Sequence, residues 1–146
     1  MLNRTEILSS LPQGDPFVFI DEAEVGEGTI TGHYTITGDE CFMPGHFPGR
    51  PVFPASILVE ALGQLAIVYL YQKYHDQGLD LESIFFIKSE DVQCRRKCYP
   101  GDRLDMKIDV KHVREPVITF KGEISVAGQN AVKLSALILS FSLNAK

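Results

Sequence analysis

Residues Pro44–Gln64 read PGHFPGRPVFPASILVEALGQ, a loop dense in proline and glycine that runs without a spacer into an apolar helix. His46 stands among Pro44, Gly45, Pro48, Gly49 and Pro51. Such residues fix φ or admit unusual backbone angles, so the loop can hold an imidazole in one place. After Pro54, apolar residues recur at Ile57, Leu58, Ala61, Leu62, Leu65, Ala66, Val68 and Tyr69. This spacing predicts a helix from Ala55 to about His75 that is buried on most sides. Glu60 falls inside it, where a charged side chain is costly without a partner or a proton. A held histidine beside a carboxylate in greasy surroundings suggests acid–base chemistry on an apolar substrate.

The rest of the chain supplies mostly strands. Leu104, Met106, Ile108 and Val110 alternate with Asp105, Lys107, Asp109 and Lys111, the cleanest period of two in the sequence and the mark of a strand with one wet face. Ile30, Gly32, Tyr34 and Ile36 share one side of a strand over Thr29–Ile36, which is expected to pair with Phe17–Val25 through Gly26–Gly28. Ser83–Ile87 opens a second series. Val117–Val126 and Ala131–Leu143 follow, joined by a turn placed at Gly128, Gln129 and Asn130. Asn3 with Glu6 marks the start of a short helix ending by Pro12. One long apolar helix followed by consecutive antiparallel strands implies an α+β domain whose sheet wraps the helix.

Composition narrows the function classes. With 146 residues and no shift in composition, a single domain spanning 1–146 is expected. A net charge of −5 argues against general nucleic-acid binding, which needs a basic face. The start of the chain lacks the pattern of a secretory signal, which points to a cytoplasmic location. The apolar run Val52–Tyr71 approaches the length of a membrane span, but Glu60 and Gln64 would then lie near the bilayer centre, so a core helix is expected instead. Cys41, Cys94 and Cys98 leave one cysteine over under any disulfide scheme and fit a reducing compartment. Gathering Cys41, His46, Cys94 and Cys98 around zinc is chemically conceivable. An extended Val92–Cys98 would however set Cys94 and Cys98 ~13 Å apart.

The motifs GHFPGRPVFP and ILVEALGQ, with LPQGDPFVFIDE before them and YPGD at Tyr99–Asp102, resemble the 3-hydroxyacyl-acyl carrier protein dehydratases of fatty acid synthesis. The resemblance is strongest in the central motif and extends more weakly over nearly the whole chain. It implies a hotdog fold, an antiparallel sheet wrapped around a long central helix. It implies His46 as the base that takes the proton next to the thioester carbonyl and Glu60 as the carboxyl that handles the departing hydroxyl. A positioned acid or base contributes ~10²–10⁴-fold each. Desolvation on the apolar helix is expected to raise the pKa of Glu60, and Gln64, one turn further on, is placed to orient it. No metal or organic cofactor is implied.

The same resemblance assigns part of the oxyanion site to the amide of a glycine after the proline, where this chain has Ala55. Alanine keeps the N–H, and the donor survives if φ is negative; a positive φ would strain the turn. The implied partners are an acyl carrier protein or coenzyme A thioester and a second copy of the chain. In the family the histidine of one subunit works opposite the carboxylate of the other, and the dimers of many members associate into trimers of dimers. In SIFFIKSEDVQCRRKCYPGD, Lys88 and Gln93 occupy positions that the family often fills with glycine and a basic residue.

Plainer readings stand beside these. His46 can brace a turn, Glu60 can be an ordinary helix residue, and Gln64 can serve structure alone. Arg95, Arg96 and Lys97 form either a docking patch for an acidic carrier or a solvated strand edge. Phe85 and Phe86 are expected in the core, and no role is assigned to His33, His75 or His112. Two other functions share the fold: acyl-thioester hydrolysis, and a non-catalytic acyl-binding subunit suggested by Ala55.

Overall fold

A computed structural model describes residues 1–143. Helix α1 (Arg4–Ser9) leads into strands β1 (Glu22–Gly26) and β2 (Thr29–Thr35), helix α2 (Ala55–Tyr74), and strands β3 (Asp80–Glu90), β4 (Gln93–Cys94), β5 (Arg103–Arg114), β6 (Val117–Val126) and β7 (Gln129–Ser142). The strands form one antiparallel sheet in the order β1-β2-β5-β6-β7-β3, with β4 also pairing β7. This is the hotdog arrangement, with α2 as its central helix.

The sheet accommodates α2 because two strand positions facing the helix lack side chains. A Cβ on Gly32 would lie 3.0 Å from Leu65 Cδ1, and one on Gly122 would lie 3.4 Å from Leu62 Cδ1 and 2.8 Å from Ile108 Cδ1. The helix is therefore seated close, burying Leu58, Ala61, Leu62, Leu65, Ala66, Val68 and Leu70 together with Leu104, Ile108, Phe120 and Ile124 from the strands. Each fully buried leucine or phenylalanine contributes about 1.5–3 kcal/mol relative to exposure. Among the described residues α2 is the one helix apolar and long enough to cross a membrane. Its apolar surface is spent on the sheet, as that of a core helix is.

Several local expectations need correction. The strand expected over Phe17–Val25 begins only at Glu22. Ahead of it, Phe17–Ile20 carries no strand partner because side chains take its backbone groups. Arg4 donates to the Ile20 and Val18 carbonyls, and Gln64 binds both Phe17 O and Phe19 N–H. The β6–β7 turn is shifted too: Ala127 (φ 50°) and Gly128 (φ 80°) form it, and Gln129 already pairs with Val126. Two consecutive positive φ values give the hairpin twist that the flanking strands require.

Phe85 and Phe86 are not in the core: they are 66% and 50% exposed in the single chain, and Ile87 is 44% exposed. Their strand, β3, is the last in the sheet, so its backbone edge and these side chains lack a neighbour on one side. The extended segment anticipated over Val92–Cys98 is a strand only at Gln93–Cys94. Lys88 reaches Glu90 at 2.8 Å, and Gln93 accepts from Arg95 at 2.6 Å.

Candidate active site

The loop before α2 is built to aim His46. Phe47-Pro48-Gly49-Arg50 closes a tight turn, Arg50 N–H donating to Phe47 O at 2.9 Å, with Gly49 at φ +72° in the position where a type II turn needs a left-handed residue. Val52 N–H donates to His46 O at 2.8 Å, and Phe53 N–H to Cys98 O at 2.8 Å, tying the loop to the segment after β4. The half-buried imidazole stacks on Phe47 at 4.1 Å between ring centroids. Its Nδ1 lies 2.8 Å from Val52 O. A carbonyl only accepts, so Nδ1 carries the hydrogen, and in the neutral ring Nε2 keeps its lone pair. Nε2 has no partner among the described residues, which makes it the basic atom.

Glu60 is held differently. Gln64, one turn along α2 and fully buried, donates from Nε2 to Glu60 Oε2 at 3.0 Å. The same amide is locked by two backbone groups, accepting from Phe19 N–H and donating to Phe17 O, both at 2.9 Å. Gln13 adds a second donor to Oε2 at 3.3 Å. With two donors on Oε2, a proton arriving at the carboxyl goes to Oε1, which receives no hydrogen bond from the described residues. Glu60 is half-buried in the single chain rather than enclosed.

These two groups face different spaces. His46 lines a cavity of about 440 Å³ with Phe47, Val52, Phe53, Ala55 and Leu58, rimmed by Cys94–Cys98. Glu60 lines one of about 290 Å³ with Gln13, Ser56, Val59, Gly63 and Ile67, walled by Ile84, Phe86, Leu137 and Leu139 of the sheet. The first turn of α2 separates them. Ala55 and Leu58 project to one flank while Ser56, Val59, Glu60 and Gly63 project to the other, as 100° per residue dictates. The pairing of His46 with Glu60 read from the sequence is thus not made within one cavity of one chain.

Ala55 is the first residue of α2 after Pro54 (φ −60°, ψ 135°), and its own φ is not positive. The strain that alanine would bring at a positive φ is therefore not incurred. The N–H groups of Ala55 and Ser56 have no backbone acceptor, whereas Ile57 and Leu58 both donate to Pro54 O. Among the described residues that leaves a helix N-terminus whose first donors lack a backbone partner, with Ala55 lining the cavity of His46. The basic run also reaches this cavity: Arg95 and Lys97 are exposed at its rim, while Arg96 is engaged by Asp102 at 3.3 Å.

Among the described residues no group of three or more His, Cys, Asp or Glu side chains is arranged to hold a metal, so the Cys41, His46, Cys94, Cys98 set is not assembled. Cys98 is buried, which pushes its thiol pKa up, and Cys41 and Cys94 are exposed. Two participants escaped the sequence: the Val52 carbonyl, which no side-chain pattern can mark, and Gln13, which reaches Glu60 across 47 positions.

The FabA-like domain model matches residues 13–135 of the chain. The 3-hydroxyacyl-[acyl-carrier-protein] dehydratase FabZ of Caulobacter vibrioides (strain NA1000 / CB15N) is 34% identical over 130 residues, covering 88% of this chain and 81% of that protein. The dehydratase FabZ of Campylobacter hominis is 30% identical over 143 residues, 95% of this chain and 99% of that protein. Among solved structures, the dehydratase heterocomplex ApeI:P from Xenorhabdus doucetiae aligns with a TM-score of 0.79 at 19% identity, covering 93% of this chain and 90% of that one. At that identity the likeness concerns the fold.

Proposed function

The chain belongs to the FabA-like family, and we propose that it is a dehydratase of fatty acid biosynthesis, converting 3-hydroxyacyl thioesters reversibly to trans-2-enoyl thioesters on acyl carrier protein. The observation that carries the reading is the hydrogen bond from His46 Nδ1 to Val52 O, which leaves Nε2 as a positioned base. His46 Nε2 takes the proton next to the thioester carbonyl. The negative charge that develops on the thioester oxygen is received by the N–H of Ala55 at the start of α2; one such donor is worth ~10²–10³ in rate. Glu60 gives its Oε1 proton to the 3-hydroxyl, the carbon–oxygen bond breaks, and water leaves as the double bond forms. The proton then returns from the imidazolium to the carboxylate through solvent, restoring both groups.

In this reading the working site is composed of two chains in a homodimer, which the opening of His46 and Glu60 on separate cavities supports. The exposed Phe85, Phe86 and Ile87 on the unpaired edge of β3 mark the face for the second copy, and Phe86 also walls the Glu60 cavity, so a partner seated there adjoins the acid. Further association into a trimer of dimers is what the family resemblance implies. Arg95 and Lys97 at the rim of the His46 cavity suit an acidic carrier delivering its thioester arm. The cytoplasm is the compartment in which such a carrier meets the enzyme.

The test is turnover with 3-hydroxyacyl-acyl carrier protein, following enoyl absorbance and free thiol together. Enoyl formation without thiol release supports the reading. Thiol release from a saturated acyl thioester, with no enoyl product from the hydroxy substrate, would favour thioester hydrolysis instead.

A further inference from the structure

A residue in the wall of the Glu60 cavity carries a buried polar atom that the reaction above leaves unused. Gln13 donates from Nε2 to Glu60 Oε2, yet its own Oε1 is buried with no partner among the described residues. A buried acceptor left unpaired is costly, and native structures keep few of them. The orientation of the amide follows from its neighbours. Gln64 cannot turn, since Phe17 O and Phe19 N–H fix both of its ends, and Glu60 Oε2, which carries no hydrogen whether or not Oε1 is protonated, offers no donor. Gln13 must therefore present Nε2 to the carboxylate, which leaves Oε1 as an acceptor beside the carboxyl. Two other buried polar atoms share this condition, His33 Nδ1 and Asn130 Oδ1, but neither residue lines the cavity of Glu60 or that of His46.

We propose that Gln13 is a substrate-positioning residue whose Oε1 accepts the hydrogen bond of the 3-hydroxyl and of the water that departs. The proposal rests on the dehydratase reading and deepens it. When Glu60 Oε1 protonates the hydroxyl oxygen, the hydroxyl's own hydrogen still needs an acceptor, and Gln13, a residue of the same cavity wall, carries the unfilled one, which a small rotation of its side chain presents to the substrate. The water formed has two donors; one faces the carboxylate Oε1 just deprotonated, the other Gln13. In the hydration direction the same two oxygens orient the attacking water towards C3 of the enoyl chain. An acyl chain without the hydroxyl has nothing to offer Gln13, so this amide favours 3-hydroxyacyl over saturated acyl groups.

The experiment compares wild type with Gln13→Met, which keeps length but removes both donor and acceptor, using 3-hydroxyoctanoyl-pantetheine as substrate and octanoyl-pantetheine as competitive inhibitor. The variant loses the Oε1 bond to the hydroxyl and the Nε2 bond to Glu60; the first is expected to raise KM and the second to lower kcat, so that kcat/KM falls about tenfold or more with KM raised, while the inhibition constant of the saturated thioester is unchanged. An unchanged kcat/KM overturns the proposal. So does an equal weakening of substrate and inhibitor, which is what mere loosening of the cavity would produce. Should Gln13→Met fail to fold, Gln13→Ala carries the same comparison. Absence of turnover in the wild-type protein would instead overturn the dehydratase reading beneath it, so the two failures appear in different proteins.

Discussion

Replacing Gln64 with leucine should damage stability and catalysis together, because one buried amide serves both. Its side chain is 0% exposed and makes three hydrogen bonds, from Phe19 N–H and to Phe17 O and Glu60 Oε2. Leucine leaves the buried Phe19 N–H without an acceptor, at about 1–3 kcal/mol, and forfeits two further bonds at about 0.5–1.5 kcal/mol each. The added apolar burial returns about 1–2 kcal/mol. A net loss of about 2–3 kcal/mol is expected, which for a domain of this size corresponds to a melting temperature lower by roughly 6–12 °C. Urea denaturation measures the first quantity and a thermal scan the second. Assayed well below its melting temperature, the variant should also show a lower kcat, since Glu60 retains only the longer contact from Gln13. Destabilisation under about 0.5 kcal/mol, with kcat retained, would refute the assignment of Gln64 as the link between the Phe17–Phe19 segment and the acid.

Other consequences are simpler to check. Ala127 holds φ 50°, so Ala127→Asn, which suits the first position of this turn, should stabilise the protein by about 0.5–1 kcal/mol in urea titration. Burial alone would raise the pKa of Glu40, but the Tyr34 hydroxyl and the backbone N–H groups of Thr37 and Gly38 outweigh it and hold it below the ordinary carboxylate value. A lowered folded-state pKa gives stability that is fully present above the ordinary value and lost as pH falls through the folded one. Stability of Glu40→Gln should therefore decline less than that of wild type on acidification, as read by denaturation at stepped pH. The Cys98 thiol is buried and its pKa raised, so an aromatic disulfide reagent should modify Cys41 and Cys94 in the native protein and Cys98 only after unfolding.

The parts of the structure that were legible in sequence are those governed by local period. Helix α2 announced itself because nearly every face is buried, and β5 because Leu104, Met106 and Ile108 meet the core while their neighbours meet water. Gly32 and Gly122 fit the same logic only in retrospect, since the close approach of α2 belongs to the packing. Phe17–Ile20 was misread as strand because its backbone partners are the side chains of Arg4 and Gln64, far away in sequence. Phe85 and Phe86 were misread as core because periodicity cannot say which strand ends a sheet.

The site divides in the same way. His46, Glu60 and Gln64 stand out as candidates from residue type, loop stiffness and a spacing of one helical turn, and the Gln64–Glu60 contact is present. The separation of His46 from Glu60 by the first turn of α2 is implied by the family resemblance but not by the residues themselves, because it depends on where the loop folds back rather than on distance along the chain. The contribution of Gln13 was beyond reach, since its meeting with Glu60 is made by the tertiary structure alone.

The central claim, that each site takes its base from one chain and its acid from another, is tested by mixing inactive variants. His46→Ala and Glu60→Gln should each abolish turnover alone while remaining folded dimers. Unfolded together in equal amounts and refolded, half of the dimers should be mixed, each with one intact site of two, restoring about a quarter of wild-type activity. Persistent inactivity of a mixture proven to contain the mixed dimer would contradict the shared site and place His46 and Glu60 in the service of a single chain.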